Sequence, residues 1–224
     1  MRSVLKIQIM NSFICYLKNP FYCESRKLSI FKFIALIFFY LLATISIGII
    51  SFIVCEAFHL VHNKQEWSPL KTILIGILLA PFYEEVLFRS LLRFKWSSIL
   101  IFVPTAIALS AFSIYKSKFI LPILLSLFVL GLFLFVTIFS RKKIESFITS
   151  KFKYFFYSSS IIFGFMHVFN FTGNIYLILT FSFILCGPQI VLGLILGYIR
   201  MNHGLKYSFL FHLVVNMSLI LTII

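Results

Sequence analysis

The sequence predicts an all-α fold, a polytopic transmembrane bundle of about eight helices, because of its composition and its long uncharged segments. Of the 224 residues, 61% are hydrophobic and only 12% are charged, whereas about 25% are charged in an average soluble domain. Segments 33–55, 96–115 and 119–140 contain no Asp, Glu, Lys or Arg, and each exceeds the roughly 18 residues that mark a spanning helix. A fourth uncharged segment, 154–199, is long enough for two or three passes.

The expected helix bounds follow from these segments and from the turn signals between them. In chain order they are 31–55, 71–92, 96–115, 119–140, 155–171, a short helix ending at residue 186, then 188–201 and 205–223. A turn is expected at 172–174, and Gly187-Pro188 predicts a helix break. If the short sixth helix is re-entrant, the C-terminus changes side. Gly193 and Gly197 form a G-x-x-x-G pattern, which predicts close helix packing.

Two regions are expected along the chain, an N-terminal segment and one bundle without a soluble domain. Residues 1–30 are expected on the cytoplasmic side, with an interfacial helix over 4–18 because apolar residues recur there at helical spacing. Residues 31–224 form the transmembrane bundle. The four cysteines show no paired spacing, so no disulfide framework or zinc knuckle is predicted.

The net charge of +14 does not indicate nucleic-acid binding, because the basic residues lie at helix ends and not on a soluble domain. If eight helices alternate from a cytoplasmic N-terminus, 14 of the 20 Lys and Arg residues fall on the cytoplasmic side. The six on the other side are Lys64, Lys71, Lys116, Lys118, Arg200 and Lys206. This bias agrees with the positive-inside rule and with a bilayer that contains anionic lipids.

Glu84 and Glu85 lie inside the second apolar segment, where a charged side chain costs about 2.5–3.5 kcal/mol on insertion scales. Glu85 and Arg89 are one helical turn apart and can pair, which would explain them as a structural ion pair. Glu84 lies about 100° round the helix from Glu85 and can face a different cavity. Glu84 is therefore the better catalytic candidate. The other four glutamates are expected to be solvated surface charges: Glu24, Glu56, Glu66 and Glu145.

His167, His212 and Asn216 are the other polar candidates inside apolar segments. His212 and Asn216 are four residues apart and share a helix face, and an interhelical hydrogen bond worth about 0.6 kcal/mol would explain them structurally. His167 alone is more often a packed histidine. At about 1.5 Å per residue, however, Glu84, His167 and His212 fall within several Å of the membrane midplane on three helices.

This set of residues can hydrolyse a peptide bond. Glu84 would accept a proton from water and return it, His167 would assist, and His212 with Asn216 would donate to the oxyanion. No G-x-S-x-G and no Cys beside a His is present, which disfavours serine and cysteine mechanisms. No cofactor is expected. The alternative is a zinc ion held by Glu84, His167 and His212.

Three motifs carry a resemblance to a known family. Glu84-Glu85 with Arg89 matches E-E-x-x-x-R, Phe163 with His167 matches F-x-x-x-H, and His212 with Asn216 matches H-x-x-x-N. In this order, over roughly residues 70–220, they resemble the CPBP family of type II CAAX prenyl endopeptidases and their bacterial relatives. Ser90 departs from the Gly that many members have after the Arg.

The resemblance implies an eight-helix bundle with a cavity that water can reach, in a bacterial cytoplasmic membrane. It also implies that Glu84 activates water with help from His167, and that His212 and Asn216 stabilise the oxyanion. The expected partners are the bilayer and a peptide or protein substrate that reaches it. Two other functions use the same residues: a proton-coupled transporter, and a catalytically idle member acting as an immunity or regulatory scaffold.

Overall fold

The computed structural model, which describes residues 13–63, 68–93, 95–115 and 120–218, has the all-α architecture that the sequence predicts. The α-helices of the N-terminal half are α1 (Ile30–Phe58), α2 (Pro69–Lys71), α3 (Ala80–Arg89), α4 (Trp96–Tyr115) and α5 (Ile120–Ile138). They are followed by α6 (Arg141–Ser150), α7 (Phe152–Phe165), α8 (Ile175–Thr180), α9 (Ser182–Leu185), α10 (Gly187–His203) and α11 (Leu205–Asn216). A π-helix (Thr72–Leu79) joins α2 to α3, and a 3-10 helix (Met166–Asn170) follows α7. Two short strands, β1 (Val61–His62) and β2 (Phe171–Thr172), form an antiparallel pair.

Most expected bounds agree with these helices to within a few residues. The third expected helix has the bounds of α4, and α1 extends the first by a few residues at its C-terminal end. Pro188 lies in the first turn of α10, where a missing N–H is tolerated, so the predicted break at this position is confirmed. The last helix, α11, reaches Asn216 and continues as a 3-10 turn, and residues 219–223 of the expected helix lie outside the described residues.

The helix pair α7 and α10 packs closely because glycines face the partner helix, as the G-x-x-x-G pattern predicted. A Cβ atom at Gly193 would lie 2.8 Å from the Ser160 carbonyl oxygen, and one at Gly197 would lie 2.8 Å from the Phe156 ring. On α7, a Cβ atom at Gly164 would meet the α10 backbone at 2.9 Å. Larger side chains at these positions would push the two helices apart.

One end of the bundle is the basic end, which we define by Arg26, Arg93 and Arg200. There the Arg26 backbone N–H donates to the Asn202 carbonyl oxygen at 2.7 Å. The Arg93 guanidinium donates to the Met201 carbonyl oxygen at 2.8 Å. These bonds join the chain ahead of α1 and the chain after α3 to the end of α10.

The opposite end is the strand end, which we define by β1 and β2. Val61 pairs with Thr172, and the Asn63 N–H donates to the Asn170 carbonyl oxygen at 2.7 Å. The strand pair therefore joins the chain that follows α1 to the chain that follows α7.

Eight alternating helices would need one helix between α7 and α10 that crosses the bundle. The described chain between these two helices contains no such crossing. α7 begins at the basic end, where the Phe152 ring packs against Tyr22 at 6.0 Å, and leads to β2 at the strand end. The six-residue α8 and four-residue α9 stay there, since Ile178 and Leu185 pack with Leu60 in one apolar cluster. At about 1.5 Å per residue they are too short to return. The short sixth helix therefore does not cross the bundle, which is the alternative that the sequence left open, and α10 ends at the basic end.

The chain ahead of α1 is packed against the bundle. Residues 13–18 are helical, and Phe13 and Tyr16 are buried in the main apolar cluster. The Tyr157 hydroxyl on α7 donates to the Leu17 carbonyl oxygen. The first part of the expected 4–18 helix, residues 4–12, lies outside the described residues.

The sequence analysis did not predict α6, because its charges were assigned to a cytoplasmic loop. This helix is amphipathic: Ile144 and Ile148, one turn apart, pack against Ile99 on α4 and Phe135 on α5. Among the described residues, α1 is the one helix that is both long and apolar enough to cross a membrane.

Candidate active site

Glu84 and His212 are brought into contact by α3 and α11, which are far apart in the sequence. The Nε2 atom of His212 lies 3.4 Å from Oε2 of Glu84. The His212 side chain is 2% exposed, and the Glu84 side chain is 28% exposed. The Glu84 carboxylate therefore lies at the edge of a buried cluster, in contact with a buried imidazole on one side.

Glu85 is the buried centre of this cluster, since its side chain is only 2% exposed. Its Oε1 atom lies 3.2 Å from Nδ1 of His212, and its Oε2 atom accepts a hydrogen bond from the Ser208 hydroxyl. The expected pair with Arg89 is present, with Nε of Arg89 4.0 Å from Oε1. Because Ser208 and His212 are one turn apart, α11 contacts both oxygens of the Glu85 carboxylate.

Arg89 is fully buried between α3, α7 and α10. Its guanidinium donates to the Gly193 carbonyl oxygen at 3.3 Å and lies 4.4 Å from the centre of the Phe163 ring. Within the described part of the chain, its Nε and Nη1 atoms have no hydrogen-bond partner. Arg200 fixes the end of α3 from the other side, since its Nε atom donates to the Arg89 carbonyl oxygen at 2.9 Å.

The charges of the cluster can balance. Both ring nitrogens of His212 face carboxylate oxygens, and a doubly protonated imidazole has an N–H donor at each of these positions. In that state the charges of Glu84, Glu85, Arg89 and His212 sum to zero. A net charge of zero is important in this buried cluster because an unpaired buried charge is strongly destabilising.

His167 contacts the cluster through Phe163. It lies in the 3-10 helix after α7, where its Nδ1 atom donates to the Phe163 carbonyl oxygen at 3.1 Å. The Phe163 ring is 5.4 Å from the His167 ring and 5.7 Å from the His212 ring, with edge-on geometry in both cases. The Phe of the F-x-x-x-H motif thus packs against both histidines and against the Arg89 guanidinium.

Asn216 holds α11 against the π-helix. In this segment a backbone N–H bonds the carbonyl oxygen five residues earlier, as Ala80 does with Ile75. In the same register Pro81 would face Gly76, but proline has no N–H. The Asn216 side-chain amide supplies the missing donor, at 3.0 Å from the Gly76 carbonyl oxygen. Its second amide hydrogen is left for the predicted oxyanion role.

The structure adds residues that the sequence analysis did not single out as part of the site, above all Ser208 and Arg200. Ser208, His212 and Asn216 are spaced by four residues and lie on one face of α11. This S-x-x-x-H-x-x-x-N spacing was the available signal for Ser208. Arg200 gave no such signal, because it was counted only as one of the basic residues at helix ends.

The alternative zinc site would need its side chains to move closer together than they are placed here. Among the described residues, no three His, Cys, Asp or Glu side chains form a group that could hold a metal ion. Both nitrogens of His212 are directed at carboxylate oxygens of Glu84 and Glu85, so a metal ion bound to this ring would have to displace one of these contacts.

Comparison with known proteins adds no relative. No protein-family model, curated protein or solved structure matches this chain.

Proposed function

We propose that the chain crosses the membrane several times. α1 supports this proposal through its exposed apolar surface, on which Ile30 is 77% and Phe52 is 65% exposed. The 20 residues of α4 and the 19 residues of α5 match the length that a bilayer about 30 Å thick requires. Leu100 on α4 and Leu127 on α5 are exposed in the same way. Exposed apolar surfaces of this kind are favourable in lipid, because the lipid chains are apolar as well.

The distribution of basic residues supports the same proposal. Because α10 ends and α11 begins at the basic end, Arg200 and Lys206 join the N-terminal residues on the proposed cytoplasmic side. The bias becomes 16 basic residues against 4, in place of 14 against 6. The corrected path of the chain therefore fits the positive-inside rule better than the alternating one did.

We propose further that the chain is an intramembrane endopeptidase of the CPBP type. The single observation that carries this proposal is the contact between Glu84 and His212, at 3.4 Å, with Glu84 partly exposed and Glu85 buried behind it. Two of the three motifs meet in this contact. A structural ion pair alone would explain Glu85 and Arg89, but it would not need a second carboxylate at the exposed edge.

In the proposed reaction, Glu84 takes a proton from a water molecule whose oxygen attacks the carbonyl carbon of the scissile peptide bond. His167 assists by holding this water. Once Glu84 is protonated it releases Nε2 of His212, and this N–H and the second amide hydrogen of Asn216 donate to the oxyanion that forms. When the C–N bond breaks, Glu84 returns its proton to the leaving amine. The substrate class is a peptide or protein that reaches the membrane.

The experiment that tests this function replaces Glu84 by Gln, which keeps the shape and removes the base. Membrane peptides from cells that produce wild-type protein, Glu84→Gln or Glu145→Gln are compared by mass spectrometry at equal protein levels. Glu145→Gln is the matched control because this glutamate is exposed on α6. A peptide cleaved by wild type is then assayed with purified protein in liposomes.

We expect Glu84→Gln to lower cleavage by about 10²- to 10⁴-fold, the usual contribution of a general base, and Glu145→Gln to leave it unchanged. Wild-type cleavage rates in the Glu84→Gln variant would overturn the proposal. Repeating the assay with a chelator on metal-analysed protein tests the zinc alternative, which predicts loss of activity.

A further inference from the structure

Ser208 is a buried hydroxyl for which the proposed reaction has no use. It is 0% exposed, and its Oγ atom contacts two acceptors, Oε2 of Glu85 and the carbonyl oxygen of Leu196 at 3.0 Å. The hydroxyl has one hydrogen, and an ionised carboxylate is the stronger acceptor. Ser208 therefore donates to Glu85, one helical turn from the His212 contact with the same carboxylate.

Two elements compete for the Glu85 carboxylate. α11 offers Ser208 and His212, while α3 offers Arg89, whose Nε and Nη1 atoms have no other partner within the described residues. The Arg89 to Glu85 contact is 4.0 Å, longer than the 3.2 Å contact with His212. A rotation of the carboxylate towards the guanidinium would form a bidentate pair, which is the geometry that arginine favours.

The outcome of this competition decides how His212 is oriented. When Glu85 accepts from Nδ1, the ring is held with Nε2 directed at Glu84. If Glu85 turned to Arg89, Nδ1 would lose its acceptor and the ring would lose its fixed direction. An acceptor on one ring nitrogen is the general means by which proteins set the tautomer of the other.

We propose that Ser208 is a positioning residue that holds Glu85 on His212 and away from Arg89. Ser208 touches neither substrate nor water in this role. It keeps the carboxylate plane in place, and the carboxylate keeps the imidazole in place. This inference rests on the proposed peptidase function for its kinetic consequence, but the contact between Ser208, Glu85 and His212 can be tested without activity.

The kinetic test compares Ser208→Ala with Ser160→Ala in the purified full chain. Ser160 is the matched control, since it is equally buried and donates only within its own helix, to the Phe156 carbonyl oxygen at 3.0 Å. We expect Ser208→Ala to lower kcat on the order of 10- to 100-fold, the effect of a small misplacement of a reacting group. KM and the Ser160→Ala rates should change little.

A double variant separates positioning from packing. A neutral amide at position 85 is not drawn towards Arg89, so Ser208→Ala should cost almost nothing further when Glu85→Gln is already present. A loss of the same size in both backgrounds would show that Ser208 acts through packing and would overturn the inference. If Ser208→Ala fails to accumulate, Ser208→Cys keeps a weaker donor and should give an intermediate loss.

The readout without activity is the nitrogen NMR spectrum of histidine-labelled protein, with the His212 signals assigned from His212→Asn. We expect Ser208→Ala to shift the signals of the His212 ring nitrogens, and Ser160→Ala to leave them in place. Unchanged His212 signals would overturn the inference even if wild type cleaves peptides. If wild-type protein cleaves no peptide but Ser208→Ala shifts the His212 signals, the proposed function is overturned and the positioning contact is retained.

Discussion

Asn216 combines a structural bond with a proposed catalytic one, and the two can be separated. Its side-chain amide donates to the Gly76 carbonyl oxygen, whose partner in the π-helical register would be Pro81, a residue without an N–H. The bond ties α11 to the π-helix directly ahead of Glu84. A change at Asn216 therefore alters stability as well as any hydrogen bond to an oxyanion.

We predict that Asn216→Ala lowers the free energy of unfolding by about 1–3 kcal/mol, because the Gly76 carbonyl is left without a donor. Adding Pro81→Ala restores an N–H in the π-helical register and should recover part of that loss. Peptide cleavage should stay low in the double variant. Thermal unfolding in detergent and the liposome assay measure the two effects. Recovery of cleavage with stability would show that Asn216 is structural only.

Only part of the cluster could be predicted from the residues themselves. Glu84 and His212 stood out because charge and polarity are costly in an apolar segment. Spacing then tells which residues share a helix face, but it does not tell which helix that face meets. The full set of Glu85 partners, with Ser208 and His212 nearer than Arg89, depends on how α3 and α11 pack. It therefore needed the structure.

At the level of elements, the glycines between α7 and α10 set the position of the helix that carries the Arg89 acceptor. Gly193 faces the Ser160 backbone, and its carbonyl oxygen accepts from Arg89. A methyl group added at Gly48 on α1 would meet nothing within 4 Å, so this glycine is free of such a constraint. The two glycines form a matched pair for substitution.

We predict that Gly193→Ala lowers the free energy of unfolding by about 1–3 kcal/mol, the usual cost of forcing an extra methyl group into a packed contact. Gly48→Ala should instead be neutral or stabilising by up to about 1 kcal/mol, since alanine favours helix. Detergent unfolding curves compare the two. Equal effects at the two positions would contradict the close packing of α7 on α10.

Helix bounds were predicted well where an apolar segment ends in charges, as in α4. They were predicted poorly where hydrophobicity does not change. The π-helix (Thr72–Leu79) is an apolar segment with the same composition as an ordinary α-helix, so composition does not indicate its hydrogen bonds to residues five positions earlier. α6 was missed for the opposite reason, because its basic first turn hid the apolar pair Ile144 and Ile148.

For the whole molecule, the path of the chain at the sixth helix is what the sequence analysis left open. Hydropathy counts apolar segments, but it does not tell whether a short segment crosses or turns back. Contacts of Arg26 and Arg93 with the end of α10 decide the matter, because they hold that end beside the N-terminal segment. These contacts join residues far apart in sequence, which no local pattern reports.

This path predicts the side from which residue 206 can be labelled. In a background with Cys55 and Cys186 replaced by serine, Cys15 remains as an exposed reporter for the N-terminal side. Cys23 is a poor reporter because burial raises the pKa of its thiol in spite of the nearby Arg93, so less of the reactive thiolate forms. It is replaced as well.

Single cysteines are then introduced, with Cys15 also replaced, as Lys206→Cys, at the start of α11, and as Lys71→Cys, at the end of α2; the chain that keeps only Cys15 is the reference. A membrane-impermeant maleimide is applied to intact cells and to inverted vesicles. We expect residue 206 to be labelled in the same preparation as Cys15, and residue 71 in the other. Eight alternating spans would place residues 206 and 71 on one side. Labelling of both in one preparation would therefore contradict the short α8 and α9 as a turn that stays at the strand end.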